Sequence, residues 1–187
     1  MKRLLEEVAH RPWPLPRRPR VMAQRWHEVL FAHWQVPVEA LRRLVPAPLE
    51  LDTVGEQAWI GVIPFRMSGV RLRWAPALPG LSAFPELNVR TYVVFGGKPG
   101  VFFFSLDAAN RLAVEVARRW YRLPYFHARM TIERRGEWFE YESRRVGAEA
   151  DFIGRYRPLD RRVAESAEDS QRRIHHRDTL RLRSGQA

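Results

Sequence analysis

A strict alternation of side-chain type marks residues 85–93, PELNVRTYV. Every second residue is polar or aromatic, namely Glu86, Asn88, Arg90 and Tyr92, and the residues between them are Leu87, Val89, Thr91 and Val93. Because successive side chains of a strand point to opposite faces, this pattern predicts a strand with one apolar face and one polar face. The four residues of the polar face are called the polar row below. If the row faces the protein interior, its carboxyl and guanidinium groups are costly to bury without partners, which is typical of ligand-binding or catalytic sites.

Neighbouring segments extend this strand into a β-rich domain. The turn Gly96-Gly97-Lys98-Pro99-Gly100 connects it to VFFFSLD, which predicts a β-hairpin. Residues 58–66 are apolar on both faces and are therefore expected in the centre of the sheet. A first strand is predicted within residues 26–36, and two later strands over residues 125–134 and 137–145. Helical spacing predicts one short helix after Pro37 and a second helix over residues 110–120, with Asp107 as its N-cap.

The length and composition limit the class of protein. A chain of 187 residues fits a single domain with a substantial core. The absence of cysteine excludes disulfides and thiolate metal sites, and the histidines show no metal-ligand spacing, so we expect no metal and no cofactor. The start, MKRLLEEVAH, lacks the apolar core of a signal peptide, and no apolar run is long enough to span a membrane. These features predict a cytoplasmic protein with no membrane partner.

Composition also suggests the domain boundaries. Residues 1–24 contain the Pro- and Arg-rich stretch RPWPLPRRPR and are expected to form a flexible leader. Residues 25–156 carry the β pattern. Residues 157–187 are polar, lose hydrophobic periodicity and are expected to form a disordered tail.

The formal net charge of +11 raises the hypothesis of nucleic-acid binding. The basic excess is concentrated in the leader and the tail, so a nucleic-acid partner is disfavoured for the folded domain. Binding of nucleic acid or an acidic partner through the Arg-rich termini is kept as an alternative, and it would weaken steeply with salt.

Four blocks of sequence occur in a characteristic order: HWQVPVEALRRLVPAPLELD, AWIGVIPFRM, PELNVRTYV and FFFSLDAANRLAVEVARRWYRLPYFHARM. In residues 25–156 the chain resembles the YqjF-like family of uncharacterised bacterial proteins. The resemblance implies an acetoacetate decarboxylase-like α+β fold, in which a bent, mostly antiparallel sheet closes into a cone-like barrel around an apolar cavity, with few peripheral helices. After Tyr156 the resemblance ends, which implies a truncated or frameshifted member whose barrel is incomplete at the C-terminus, with an open edge and exposed apolar surface.

In acetoacetate decarboxylases the chemistry depends on a lysine that forms a Schiff base, with its pKa lowered by burial and by an adjacent lysine. The resemblance places Tyr125 and Phe126 at the corresponding positions, and neither can form an imine. The only lysines are Lys2 in the leader and Lys98 in the hairpin turn. Schiff-base chemistry is therefore disfavoured.

The resemblance directs the polar row toward the cavity and makes Glu86 and Arg90 the best-matched site residues. They lie about 13 Å apart along a strand. Arg90 suits a carboxylate or phosphate, and Glu86 can exchange a proton. The row, Glu86, Asn88, Arg90 and Tyr92, is thus predicted to bind a small, anionic and partly apolar metabolite. The alternative is that Glu86 and Arg90 are structural, each satisfied by partners on neighbouring strands.

Whether the protein is an enzyme stays open at this point. One alternative is lyase-like acid/base catalysis by Glu86 without a covalent amine, and another is an inactive truncated product. Whether the chain forms a homo-oligomer is also left open.

Overall fold

The computed structural model describes residues 21–77 and 80–158. The predicted disordered tail falls almost entirely outside these residues, as does most of the predicted leader. The first strand begins at Met22, so the last residues of the predicted leader belong to the sheet. Within the described part of the chain, no helix is long and apolar enough to cross a membrane.

The described residues form nine strands and two short helices. The strands are β1 (Met22–His27), β2 (Ala32–Val36), β3 (Glu50–Leu51), β4 (Ala58–Leu72), β5 (Phe84–Phe95), β6 (Lys98–Ala108), β7 (Tyr125–Arg135), β8 (Trp138–Arg145) and β9 (Asp151–Tyr156). The helices are α1 (Val38–Arg42), between β2 and β3, and α2 (Arg111–Tyr121), between β6 and β7.

All strands belong to one sheet, with the order β1-β4-β5-β6-β7-β8-β9, while β2 pairs with β4 and β3 pairs with β5. Every pairing is antiparallel except β6 with β7, which is parallel. The mostly antiparallel α+β class is therefore confirmed. The hydrogen-bonded path does not return from β9 to β1 among the described strands, so they form an open sheet and the predicted closure into a barrel is not seen.

Strand β4 is central, as its apolar character on both faces predicts. One of its edges pairs with β1 and β2, and the other pairs with β5. The single first strand predicted over residues 26–36 is wrong. Glu28 adopts a positive φ of 55°, which interrupts the extended backbone, and β1 and β2 then pair with different ends of β4.

The two faces of β4 and β5 are covered by different layers. On one face Ile63 and Phe65 form a buried cluster with Val114 of α2. On the other face Leu87 packs against Tyr141 and Tyr156, because β8 and β9 fold back over the sheet. The sheet is therefore strongly bent, with β5 buried between α2 on one side and the β8–β9 layer on the other.

Helix α2 lies where its spacing predicts, but the predicted N-cap is wrong. The side chain of Asn110 accepts a hydrogen bond from the backbone N–H of Ala113 at 3.0 Å and so caps the helix. Asp107 still belongs to β6 and instead forms an ion pair with Arg145, at 2.7 Å. The helix fully buries only Val114, and its large apolar residues Leu112, Val116 and Trp120 are exposed.

Strand β6 has an open edge in the described structure. The parallel pairing with β7 involves only Leu106, Asp107 and Ala108. Residues 99–103 and Ser105 are therefore paired with β5 on one side, Phe104 lies in a register shift, and no described strand bonds to the other side of this stretch. Three consecutive phenylalanines, Phe102, Phe103 and Phe104, lie in this stretch and are half-buried.

The bend of the sheet generates a prediction about stability. The fully buried Tyr141 donates its hydroxyl to the backbone carbonyl of Glu86 at 2.8 Å, which ties β8 to β5. We expect Tyr141→Phe to lower the free energy of unfolding by about 1–2 kcal/mol, because one buried hydrogen bond is lost without a large change in volume. Urea denaturation followed by circular dichroism measures the difference.

Tyr121→Phe provides the matched control, since Tyr121 is exposed at the end of α2. Its effect should stay within about 0.5 kcal/mol. Equal stabilities of the two variants would show that the Tyr141 hydroxyl does not hold the bend.

Candidate functional site

The polar row lies on the face of β5 that is covered by α2. The register pairs Glu86 with Phe65, Asn88 with Ile63 and Arg90 with Gly61 of β4, so these side chains share one face. Glu86 and Asn88 are only 3% and 1% exposed, and Arg90 and Tyr92 are half-buried. The row is thus buried in the protein interior at its Glu86 end, and its side chains are more exposed to solvent at its Tyr92 end.

Glu86 is held in an apolar environment with one polar partner. The hydroxyl of Tyr125, the first residue of β7, donates to Oε2 of Glu86 at 3.2 Å. Burial raises the pKa of Glu86 to about 8, and the hydrogen bond from Tyr125 opposes this only in part. The carboxyl group is therefore protonated at pH 7, and a group with such a pKa can act as an acid or a base near neutral pH.

Tyr125 occupies a position where the resemblance to decarboxylases implied a lysine. Burial and the neighbouring Glu86 raise its pKa, so it remains a hydroxyl donor rather than an anion. Of the two lysines, Lys98 lies exposed in the β5–β6 hairpin, and Lys2 is outside the described residues. No amine in the described part of the chain can form a Schiff base at this site.

Asn88 lies between the two charged residues of the row. Its Oδ1 atom is buried and accepts no hydrogen bond from the described residues. A buried acceptor without a donor costs about 1–3 kcal/mol. An O–H or N–H group of a ligand would satisfy it.

Arg90 has aromatic neighbours in place of an anionic partner. Its Cζ atom lies 5.7 Å from the ring centre of Phe31 and 5.6 Å from that of Tyr92, which are cation–π distances. Its Nε atom is buried without an acceptor, and none of the ion pairs of residues 21–77 and 80–158 includes it. Of the two residues in the structural alternative, Glu86 thus has a hydrogen-bond partner on β7, and Arg90 has ring contacts but no carboxylate partner in this part of the chain.

His33 joins the row although no sequence pattern selects it. Its Nε2 atom lies 2.6 Å from the hydroxyl of Tyr92, and the two rings stack at 5.7 Å. Burial and the positive charge of Arg90 lower the pKa of His33, so the imidazole is neutral at pH 7. Its role here is to fix the orientation of the Tyr92 ring against Arg90.

Gly61 explains how His33 can lie so close to the sheet. It pairs with His33 across β2 and β4, and a Cβ atom at this position would lie 3.1 Å from Nε2 of His33 and 3.0 Å from Cδ1 of Ile63. A glycine inside a strand is a sequence signal of such close approach. It could have indicated crowding at this point, but it could not have identified the histidine.

The described side chains do not form a metal centre. Across residues 21–77 and 80–158, no group of three or more His, Cys, Asp or Glu side chains is placed to hold a metal ion. The site residues themselves present a carboxyl at Glu86, phenols at Tyr92 and Tyr125, an amide at Asn88 and a guanidinium at Arg90.

The protonated state of Glu86 predicts a specific dependence of stability on pH. Its pKa in the folded protein is about 8, above the ordinary value of 4.5. Between these values the folded state holds a proton that the unfolded state has lost, so stability is full below pH 4.5 and falls as the pH rises to 8. In Glu86→Gln, which copies the neutral form, we expect this loss to be absent.

The measurement is the free energy of unfolding of both proteins between pH 4.5 and 9. The wild type should lose on the order of a few kcal/mol relative to the variant over this range. His33 and Asp107 also titrate abnormally, but both proteins contain them, so their effects cancel in the difference. Parallel curves for the two proteins would show that Glu86 is ionised in the folded state.

The chain is similar to a known protein family and to a bacterial protein sequence. The model of DUF2071, a family described as an uncharacterized conserved protein, matches residues 23–180 and so extends past Tyr156. The protein YqjF of Bacillus subtilis (strain 168) is 54% identical over 140 residues, which are 74% of this chain and 58% of that protein. The chain thus spans less than two thirds of the length of this relative.

The solved structures similar to this chain share its fold at low sequence identity. Acetoacetate decarboxylase from Legionella pneumophila subsp. pneumophila str. Philadelphia 1 has a TM-score of 0.56 at 16% identity, and the match covers 81% of this chain and 59% of the decarboxylase. The enduracididine biosynthesis enzyme MppR, complexed with the condensation product of pyruvate and imidazole 4-carboxaldehyde, has a TM-score of 0.57 at 15% identity, with 80% and 60% covered. The predicted acetoacetate decarboxylase-like fold is confirmed, and the chain belongs to the DUF2071 family of uncharacterized conserved proteins, together with YqjF.

Proposed function

We propose that the protein binds a small carboxylate along the polar row, without covalent attachment. The observation that carries the proposal is the guanidinium of Arg90, which lies within cation–π distance of two aromatic rings and has no carboxylate partner among the described residues. A guanidinium group presents paired N–H donors that match the two oxygens of a carboxylate. Arg90 therefore binds the charged end of the ligand.

The rest of the row supplies complementary polar contacts. The buried Oδ1 of Asn88 accepts a hydrogen bond from a hydroxyl or amine of the ligand. The protonated carboxyl of Glu86 donates one to a carbonyl oxygen. A carboxylic acid with a hydroxyl or amine group near its charged end fits Arg90 and Asn88, whereas Glu86, about 13 Å from Arg90 along the strand, contacts a polar group only at the far end of a longer ligand.

Small keto acids are the first compounds to test. One structural neighbour, MppR, has been solved in complex with pyruvate, with a TM-score of 0.55 and 16% identity to this chain. At that identity the likeness concerns the fold alone. The pyruvate bound to that neighbour is the reason for choosing pyruvate as a probe here.

Acid/base catalysis of a lyase-like reaction is the second candidate function. The observation that favours it is the pKa of about 8 at Glu86, which lets the carboxyl group donate a proton near neutral pH. If Glu86 acts as the acid, turnover of acetoacetate by the wild type should fall as the pH rises through 8, and Glu86→Gln should be inactive. Turnover is measured by acetone formation, and unchanged activity in the variant would exclude Glu86 as the acid.

Arg90→Gln tests the binding proposal directly. We expect pyruvate to bind the wild type and the variant to bind it at least about tenfold more weakly, since a charge-assisted contact contributes about 1.5–3 kcal/mol. Isothermal titration calorimetry gives both dissociation constants. Arg119→Gln, on the exposed surface of α2, is the matched control and should bind pyruvate as the wild type does.

Two outcomes would contradict the proposal. One is that neither pyruvate nor another small carboxylate binds the wild type. The other is that Arg90→Gln binds as tightly as Arg119→Gln, which would assign the interaction to surface charge. If the protein instead binds nucleic acid through its Arg-rich termini, that binding should be unchanged in Arg90→Gln and should weaken steeply as the salt concentration rises.

A further inference from the structure

A cleft of about 560 Å³ lies between the open edge of β6 and the connection from α2 to β7. It is separate from the polar row, because none of the four residues of the row lines it. Its walls are mainly apolar and include Leu44, Phe102, Phe103, Phe104, Leu123 and Pro124. This volume and lining are typical of sites for small molecules.

The topology creates the cleft. Strands β6 and β7 pair only over three residues, and the backbone N–H of Leu106 donates to the carbonyl of Pro124 at 2.9 Å where they meet. Over residues 99–105 no described strand pairs with the other side of β6, and the chain reaches β7 from the end of α2. The free edge of β6 therefore forms one wall of the cleft, and residues 122–126 form another.

The wall formed by β6 presents an aromatic surface. Phe102, Phe103 and Phe104 are only half-buried, and the rings of Phe102 and Phe104 meet edge to face with their centres 5.4 Å apart. An apolar chain that lies against these rings is removed from water, and each buried methylene increases the affinity about fourfold. The cleft thus favours ligands with an extended apolar part.

Two arginines at the rim indicate the charge of the ligand. Arg118 and Arg122 line the cleft, are exposed, and take part in none of the ion pairs of the described residues. They lie four residues apart at the end of α2, and like charges at this spacing repel each other. An anion bound between them offsets the repulsion, and a carboxylate matches the paired N–H donors of a guanidinium group.

The backbone of Arg122 provides a separate observation. Arg122 ends α2 in the left-handed conformation, with a φ of 52°. Glycine is the usual residue at such a helix end, because a Cβ atom makes this conformation less favourable. Strained backbone of this kind is concentrated at functional sites. The chain thus has a guanidinium group at the cleft where a glycine would give a more stable helix end.

We propose that this cleft is a second binding site, which takes an amphipathic carboxylate. The apolar chain of the ligand lies against the phenylalanines of β6, and its carboxylate lies between Arg118 and Arg122. This second site goes beyond the proposed function and does not depend on it, because the cleft and the polar row have no residue in common.

The test compares three probes that differ in one part each. Octanoate has the carboxylate and the apolar chain, hexanoate has a chain shorter by two methylenes, and 1-octanol has the chain without the charge. All three are titrated by calorimetry into Arg90→Gln, so that the polar row does not contribute. We expect octanoate to bind about tenfold more tightly than hexanoate, and at least about fivefold more tightly than 1-octanol.

Two variants of the rim test the position of the carboxylate. Arg118→Gln and Arg122→Gly should each weaken octanoate about fivefold, since each removes one exposed charge contact. Arg122→Gly should not lower the temperature of thermal unfolding, because glycine relieves the left-handed backbone. Arg119→Gln is the matched control, because Arg119 is exposed on the same helix and does not line the cleft.

The outcomes separate this site from the polar row. If octanoate does not bind Arg90→Gln, or binds no more tightly than hexanoate or 1-octanol, the cleft is not a site for an amphipathic carboxylate and the inference is overturned. If Arg118→Gln and Arg122→Gly bind octanoate as tightly as Arg119→Gln, the two arginines serve only the helix end, and the inference is overturned. Neither result affects the proposed function, which fails only if the wild type binds no small carboxylate through Arg90.

Discussion

Burial of Glu86 is the constraint on which the arrangement of the sheet depends. Its backbone carbonyl accepts the hydroxyl of Tyr141 from β8, and its side chain accepts the hydroxyl of Tyr125 from β7. One residue of β5 is thereby tied, on opposite faces of the sheet, to two strands that follow it in sequence. Because these contacts fold β8 over one face and place Tyr125 on the other, the bend of the sheet and the geometry of the candidate site have a common origin.

The ion pairs elsewhere in the described structure show why Arg90 is unusual. Arg145 binds both carboxylate oxygens of Asp107, and Arg66 binds both oxygens of Glu28. Each of these partly buried arginines is held by a carboxylate in the forked geometry that a guanidinium prefers. Arg90 is also half-buried in the same sheet, but its described contacts are with aromatic rings, which leaves its donors without a carboxylate partner.

The local elements could be predicted from the sequence, whereas the contacts that build the site could not. The period of two in residues 85–93 predicts β5, and the glycine turn that follows predicts the β5–β6 hairpin. Both predictions are possible because a strand and a tight turn depend on residues that are neighbours in sequence. His33 lies 59 residues from Tyr92, and Tyr125 lies 39 residues from Glu86, so no local pattern relates them. The prediction of Asp107 as a helix cap was wrong for the same reason, since its distant partner Arg145 was not visible in the sequence.

The neutral state of Glu86 and the open donors of Arg90 belong to one electrostatic arrangement. If Glu86 were ionised, the polar row would carry one negative and one positive group about 13 Å apart. The negative charge would repel a carboxylate in a region where burial weakens screening by water. Burial instead keeps Glu86 protonated up to a pH of about 8, so the row has a net positive charge at neutral pH. The same desolvation that destabilises an ionised Glu86 therefore leaves Arg90 as the charged member of the row, and under the proposed function its attraction for a carboxylate takes the place of the covalent bond that a lysine would form.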